Sequence, residues 1–202
     1  NGITSLIDDN GNLIPIKVFG DHNLQNLSAA YHVCLYLGVT KNEFFKYIQT
    51  FKGASKRLEL ISENSNAVCY KDFAHSPSKL KATTEAMKNQ FKERKLTACM
   101  ELHTFSSLTS DFLKEYKGCI DAPDEAIVYF SLEALKHKNL PELTEKQVFD
   151  AFDRNDLKIF TDSNKLKEHL KSINWTNNNL LIMTSGNFSG INIDELGKSL
   201  IN

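Results

Sequence analysis

Residues 67–91 read AVCYKDFAHSPSKLKATTEAMKNQF. The run from Ala67 to Phe73 is short, apolar and rich in strand formers, and polar turn residues follow it at once. Ser76 stands where an N-cap belongs and Pro77 where a first helical residue belongs. Leu80, Thr84, Met87 and Phe91 then recur at helical spacing, which predicts a helix over Pro77–Phe91 with that stripe facing inward. Similar apolar runs lie at Leu96–Leu102, Glu125–Phe130, Leu157–Phe160 and Leu180–Thr184. Helical stretches separate them, the clearest later ones being Ser163–Ile173 and Ile193–Ile201. Strands alternating with helices predict an α/β, Rossmann-like fold: a mainly parallel sheet with helices on both faces. Ligands in such sheets bind beyond the carboxyl ends of the strands. That rule points to the loops 72–77, 103–107 and 185–190.

The first fifty residues have a different pattern. Ile3–Ile7 and Leu13–Phe19, joined by Asp8-Asp-Asn-Gly11, predict a hairpin. Helices are predicted over Asn23–Leu37, ending at Gly38, and over Lys41–Phe51. Leu24, Leu27, Ala30, Val33 and Leu37 share one face of the first helix and are expected to be buried. Asn23 and Asn26 share another face near its N-terminus, with His22 just before them. A side-chain amide offers both a donor and an acceptor, which suits an adenine edge, and a helix N-terminus favours phosphate. Helix capping by Asn23 is the plainer reading. A hairpin and two helices are too little for an independent domain, and the chain begins with Asn1 in mid-pattern.

The 202 residues are 41% hydrophobic and 24% charged, with a net charge of -1. Such a chain can bury a core. The absence of a basic run argues against nucleic acid or a membrane surface as partner. With no signal peptide and no membrane-length apolar segment, a cytoplasmic location is expected. Cys34, Cys69, Cys99 and Cys119 are scattered, with no Cys-x-x-Cys pair, and are expected to be buried free thiols rather than metal ligands or disulfides.

Three motifs follow one another in order. Gly20-Asp-His-Asn-Leu-Gln-Asn-Leu-Ser-Ala-Ala30 is the first. Phe51-Lys-Gly-Ala-Ser-Lys-Arg57-Leu-Glu59 is the second. Tyr70-Lys-Asp72-Phe-Ala-His75-Ser-Pro77, with Lys81-Ala-Thr83 behind it, is the third. Together they resemble the signature of the Mur ligases, ATP-dependent amide ligases of peptidoglycan synthesis. The likeness extends to Leu181–Gly190, which resembles a turn of the family's murein-peptide ligases. It implies that residues 1–52 end a central ATPase domain and that 53–202 form the family's C-terminal domain.

The same resemblance implies roles for single residues. His22, Asn23 and Asn26 would meet ATP, with Arg57 near its phosphates and Asp72 near the ribose hydroxyls. An Arg57–Asp72 ion pair is the structural alternative, and Asp72→Ala is expected to leave the fold intact. His75, Ser76, His103, Thr104, Ser107, Ser185, Gly186 and Asn187 would form the pocket for the incoming amine. The family has a second histidine at position 76 and, in its alanine-adding members, arginines at 104 and 107. This chain has Ser76 in place of the second imidazole, and it has Thr104 and Ser107 in place of the arginines, which favours the tripeptide L-alanyl-γ-D-glutamyl-meso-diaminopimelate over L-alanine, the alternative, as the amine added to UDP-N-acetylmuramate. Gly186 is expected to serve backbone approach and a positive φ. No Gly-x-x-x-x-Gly-Lys-(Ser/Thr) loop is present. The ATP phosphate loop, the Mg ligands and the UDP-binding domain would therefore belong to missing parts of the parent, and the fragment is expected to be inert alone. An α/β nucleotide-binding or interaction module without catalysis is the reading from another class.

Overall fold

The computed structural model describes residues 2–201. Asn1 and Asn202, the outer limits of the two expected domains, lie outside the described residues. The chain opens with an antiparallel hairpin of β1 (Thr4–Ile7) and β2 (Leu13–Ile16). Helices α1 (Asp21–Tyr36) and α2 (Lys41–Ile48) follow. A reciprocal capping box between Thr40 and Glu43 fixes the start of α2. Gly38 ends the preceding helix at φ 88°.

The rest is one six-stranded sheet in the order β3-β4-β8-β5-β6-β7. Its strands are β3 (Glu59–Glu63), β4 (Val68–Asp72), β5 (Lys95–Leu102), β6 (Glu125–Phe130), β7 (Lys158–Phe160) and β8 (Asn178–Met183). All neighbours are parallel except β3, which pairs antiparallel with β4 at the edge. Sequence alone did not mark β3, which starts at the last residue of the Phe51–Glu59 motif. Its glutamates at both ends and a register shift between Leu60 and Ser62 break the alternation of a half-buried strand.

Side chains alternate across the sheet. Ala98, Met100, Val128, Phe130, Leu181 and Met183 face one side, where α3 (Pro77–Gln90), α4 (Ser110–Leu113), α5 (Leu132–His137) and α6 (Glu145–Phe152) pack. Cys69, Cys99, Ile127, Tyr129, Leu180 and Ile182 face the other, covered by α7 (Ser163–Ser172) and α8 (Ile193–Leu200). Helices thus cover both faces, and the strands read as continuous apolar runs because both sides are buried. Leu80, Thr84 and Met87 of α3 are fully buried, as their spacing requires. Ser76 occupies the N-cap position of α3, but its side chain accepts no capping bond.

Two expectations need correction. No residue of α1 is buried, and Val33 and Leu37 of the expected inner face are 58% and 73% exposed. Only Leu24 and Leu27 of that stripe are even half-buried. The periodicity marks a face able to be buried, and within the described residues nothing covers its far end. Cys34, on the same helix, is only half-buried, whereas Cys69, Cys99 and Cys119 are buried; all four thiols are free. Burial pushes the Cys69 thiol up to about 12 and raises Cys99 and Cys119 as well.

The hairpin segment joins the sheet domain through Phe19. Its ring meets Tyr70 edge-on at 5.3 Å and Phe91 at 6.1 Å. Gly20 follows at φ 86° and ψ 140°, so close to α3 that a Cβ would stand 2.7 Å from the Ala86 methyl carbon.

Asp124, just before β6, ties α3 to β5. Its carboxylate accepts from Lys88 Nζ and from the Leu96 backbone N–H at 2.8 Å. Burial alone would raise this carboxyl, but those bonds outweigh it and hold it below the ordinary aspartate value. A depressed folded-state value means the stabilisation is complete above the unfolded aspartate value of about 4 and is lost as pH falls through the lower folded one. Asp124→Asn is therefore expected to flatten the fall of stability below about pH 4, read from urea midpoints across that range. An acid limb as steep as in the parent chain refutes it.

Candidate functional site

A cavity of about 600 Å³ opens at the carboxyl end of β4. It lies where α1, the 51–57 linker and the start of α3 meet. His22, Asn23, Asn26, Arg57 and Asp72 all line it. Val18, Leu27, Ala30, Ile48 and Phe51 add apolar walls, and Ser78 and Lys79 line it from the first turn of α3. Its size and mixed lining suit a nucleoside-sized ligand. Sequence reasoning did not single out Lys79, although the Ser-Pro helix start fixes where that first turn lies.

Asn23 does not cap α1. Gly20 is the N-cap, and Asn23 Nδ2 donates instead to the Phe19 carbonyl at 2.9 Å. One amide hydrogen is thus committed, while its oxygen remains an acceptor. Asn26 is exposed, and its amide bonds to no other group among the described residues.

Asp72 is 5% exposed and ends β4. Its Oδ2 accepts from the Leu58 N–H and its Oδ1 from the Ala74 N–H, both at 2.7 Å. Burial raises its pKa, and these two bonds with the charges of Arg57 and His22 offset part of that rise. The ion pair with Arg57 does not form: among the described residues no salt bridge links them. Arg57 instead holds its guanidinium 5.4 Å from the Phe73 ring centroid. The linker beside it is strained, with Lys56 at φ 55° and Leu58 at φ 43°. Glu59 accepts from the Lys56 N–H at 2.7 Å and Asp72 from Leu58, so two carboxylates hold this turn. Asp72 thus supports the backbone around it, and Asp72→Ala is expected to disturb the fold rather than leave it intact.

None of the eight residues assigned to the incoming amine lines this cavity. They lie on the three loops beyond β4, β5 and β8. His75 Nδ1 stands 2.8 Å from the Phe73 carbonyl, and the Tyr116 hydroxyl donates to the His75 carbonyl at 2.6 Å. Ser76 follows it, half-buried. Thr104 Oγ1 accepts the Ser107 N–H at 3.2 Å, and Ser107 Oγ donates back to the Thr104 carbonyl at 2.9 Å. Ser107, 1% exposed, is thereby turned inward and offers its hydroxyl to the backbone, not to a ligand. Asn187 closes its own turn by accepting the Gly190 N–H. The Ser185 hydroxyl is buried with no partner among the described residues.

Gly186 does not have the positive φ expected of it; Phe188, Ser189 and Gly190 carry the left-handed part of the turn. Its need is space. A Cβ there would lie 2.7 Å from Glu101 Oε2 and from His103 Cγ and Nδ1. Glu101 and Thr184 were not picked out as site residues. They stand 83 positions apart in sequence and meet only because β5 and β8 are neighbours.

The six-stranded, mostly parallel sheet with helices on both faces and a cavity at the end of its second strand defines an α/β domain. No protein-family model matches the chain. It is 33% identical over 136 residues to the UDP-N-acetylmuramate–L-alanine ligase of Caldicellulosiruptor bescii, a match of 67% of this chain and 29% of that protein. The alanine ligase structure from Thermotoga maritima superposes with a TM-score of 0.67 at 18% identity, over 88% of this chain and 37% of that one. The murein peptide ligase of Psychrobacter arcticus does so with 0.60 at 19% identity, over 94% and 38%. The chain belongs to the Mur ligase family and corresponds to its C-terminal region. The matched stretch spans about 30% of the length of the curated relatives.

Proposed function

We propose that the chain is the C-terminal part of an ATP-dependent ligase that joins an amino acid or peptide to UDP-N-acetylmuramate in peptidoglycan synthesis or recycling. The convergence of His22, Asn23, Asn26, Arg57 and Asp72 on one cavity is the observation that carries this reading. Asn26 and the Asn23 oxygen face the base, the Asp72 oxygens keep lone pairs for ribose hydroxyls, and Arg57 supplies a guanidinium fork for phosphate. In this reading the Mg that accompanies ATP would be held by residues of the complete ligase outside this chain. Residues 1–52 are the tail of the ATPase domain in this reading, 53–202 are the C-terminal domain, and the chain alone is inert. The parent protein is cytoplasmic; among the described residues no helix is long and apolar enough to cross a membrane.

Asn26→Leu tests the nucleotide site. Asn26 is exposed and unbonded, so the chain's melting temperature is expected to stay within about 1 °C while the ATP KM of the complete ligase rises roughly tenfold, the loss of one or two hydrogen bonds. A destabilised variant with normal ATP kinetics would sink the assignment.

The incoming amine in this reading is the murein tripeptide. The 103–107 loop carries Thr104 and Ser107 where the alanine-adding members carry paired cations. The complete ligase is expected to prefer the tripeptide to L-alanine by at least about tenfold in kcat/KM, or ~1.4 kcal/mol of transition-state discrimination. Addition of L-alanine is the second reading, favoured by the names of the curated relatives. Turnover of alanine without turnover of the tripeptide decides for it.

A further inference from the structure

Glu101 ends β5 beside the end of β8, within the crevice where the strand order reverses. It is 2% exposed. Its Oε2 accepts from the Thr184 hydroxyl and from the Phe188 backbone N–H at 3.1 Å. Its Oε1 stands 3.5 Å from His103 Nδ1. Three partners from two loops thus converge on one buried carboxylate. Gly186 admits this closeness, because any larger residue would collide with Glu101 and the imidazole together. The turn is tied a second time where the Tyr129 hydroxyl donates to Ser189 Oγ at 2.7 Å.

A carboxylate is costly to bury, and joining two strands does not require one. At the opposite end of the same strand pair, neutral Thr97 and Asn178 make that tie. What a negative charge adds at position 101 is control of the imidazole, since it favours the N–H form at the ring nitrogen that faces it. His103 keeps 37% of its side chain exposed, and the partnerless Ser185 hydroxyl belongs to the same turn.

We propose that Glu101 is a positioning residue: it locks His103 and the Ser185–Gly190 turn into one unit, with Nδ1–H held toward the carboxylate and Nε2 presented as an acceptor for the amino group of the incoming substrate. The inference rests on the amide-ligase reading for its substrate, but its geometry is testable without turnover. In the chain labelled with 15N-histidine, long-range proton–nitrogen spectra above the ordinary histidine range report which nitrogen carries the proton. His103→Asn assigns the signal. The expected result is the Nδ1–H tautomer. In Glu101→Gln, Thr184 and Phe188 need the amide oxygen, so the NH₂ group faces His103 and the tautomer inverts to Nε2–H. An Nε2–H signal in the parent chain overturns the proposal, even if the glutamine variant fails to fold. So does an unchanged Nδ1–H signal in a folded variant. In the complete ligase, Glu101→Gln is expected to lower kcat on the order of 10²-fold with the ATP KM unchanged; a rise in ATP KM of similar size refutes a positioning role. A complete protein that ligates no amine would remove the ligase reading while leaving the tautomer result to stand or fall separately.

Discussion

Asp72→Ala is expected to destabilise the chain by about 2–5 kcal/mol, because two buried N–H groups lose a charged acceptor and each orphaned donor costs roughly 1–3 kcal/mol. Those donors belong to Leu58 and Ala74. Leu58 is held at a positive φ, so without the carboxylate the linker has reason to relax and carry Arg57 out of the cavity. Removing a buried charge whose pKa is already raised returns part of the loss, which keeps the estimate below the sum of both bonds and their strain. Urea midpoints measure it. A shift worth less than about 1 kcal/mol would mean that the two amides find other partners. Asp72→Asn separates the roles: it keeps one acceptor oxygen and should fall between the parent chain and the alanine variant.

Gly20→Ala is expected to cost about 2–6 kcal/mol, from two sources of roughly 1–3 kcal/mol each. Its backbone, at φ 86° and ψ 140°, is in a region open almost only to glycine. The added methyl would also collide with Ala86 on α3. Gly38→Ala is the control. It too has a positive φ, 88°, but nothing lies within 4 Å of its Cβ direction, so only the backbone penalty of about 1 kcal/mol applies. The damage at position 20 should be local: hydrogen exchange is expected to quicken in α1 and the hairpin while the central strands keep their protection. Equal losses in the two variants would show that contact with α3 does not hold the first fifty residues in place.

The central strands were legible because each is buried on both faces. Ala98 to Met100 or Ala126 to Phe130 then has to be apolar without interruption. α3 was legible from its stripe and its Ser-Pro start. β3 was not, because an edge strand with a bulge needs neither alternation nor an apolar run. α6 carried a readable signal in its Thr144–Gln147 capping box that the sequence reading did not use. The burial expected of Val33 and Leu37 failed for another reason: amphipathic spacing says which face is apolar, not whether anything lies against it. The residues proposed for the nucleotide came from motif resemblance, and their convergence on one cavity required the fold. Glu101 could not be weighed from sequence, since its partners Thr184 and Phe188 are more than eighty positions away.

The uneven burial of the four thiols has a practical side. Cys69, Cys99 and Cys119 are sealed in the core and their raised values leave almost no reactive thiolate at neutral pH. Cys34 alone is half-open, and it lies one helical turn beyond Ala30, which lines the cavity. A maleimide dye should therefore attach at a single natural position without any engineered cysteine. It would place an optical reporter beside the cavity proposed for the nucleotide, on the helix whose docking Gly20 permits.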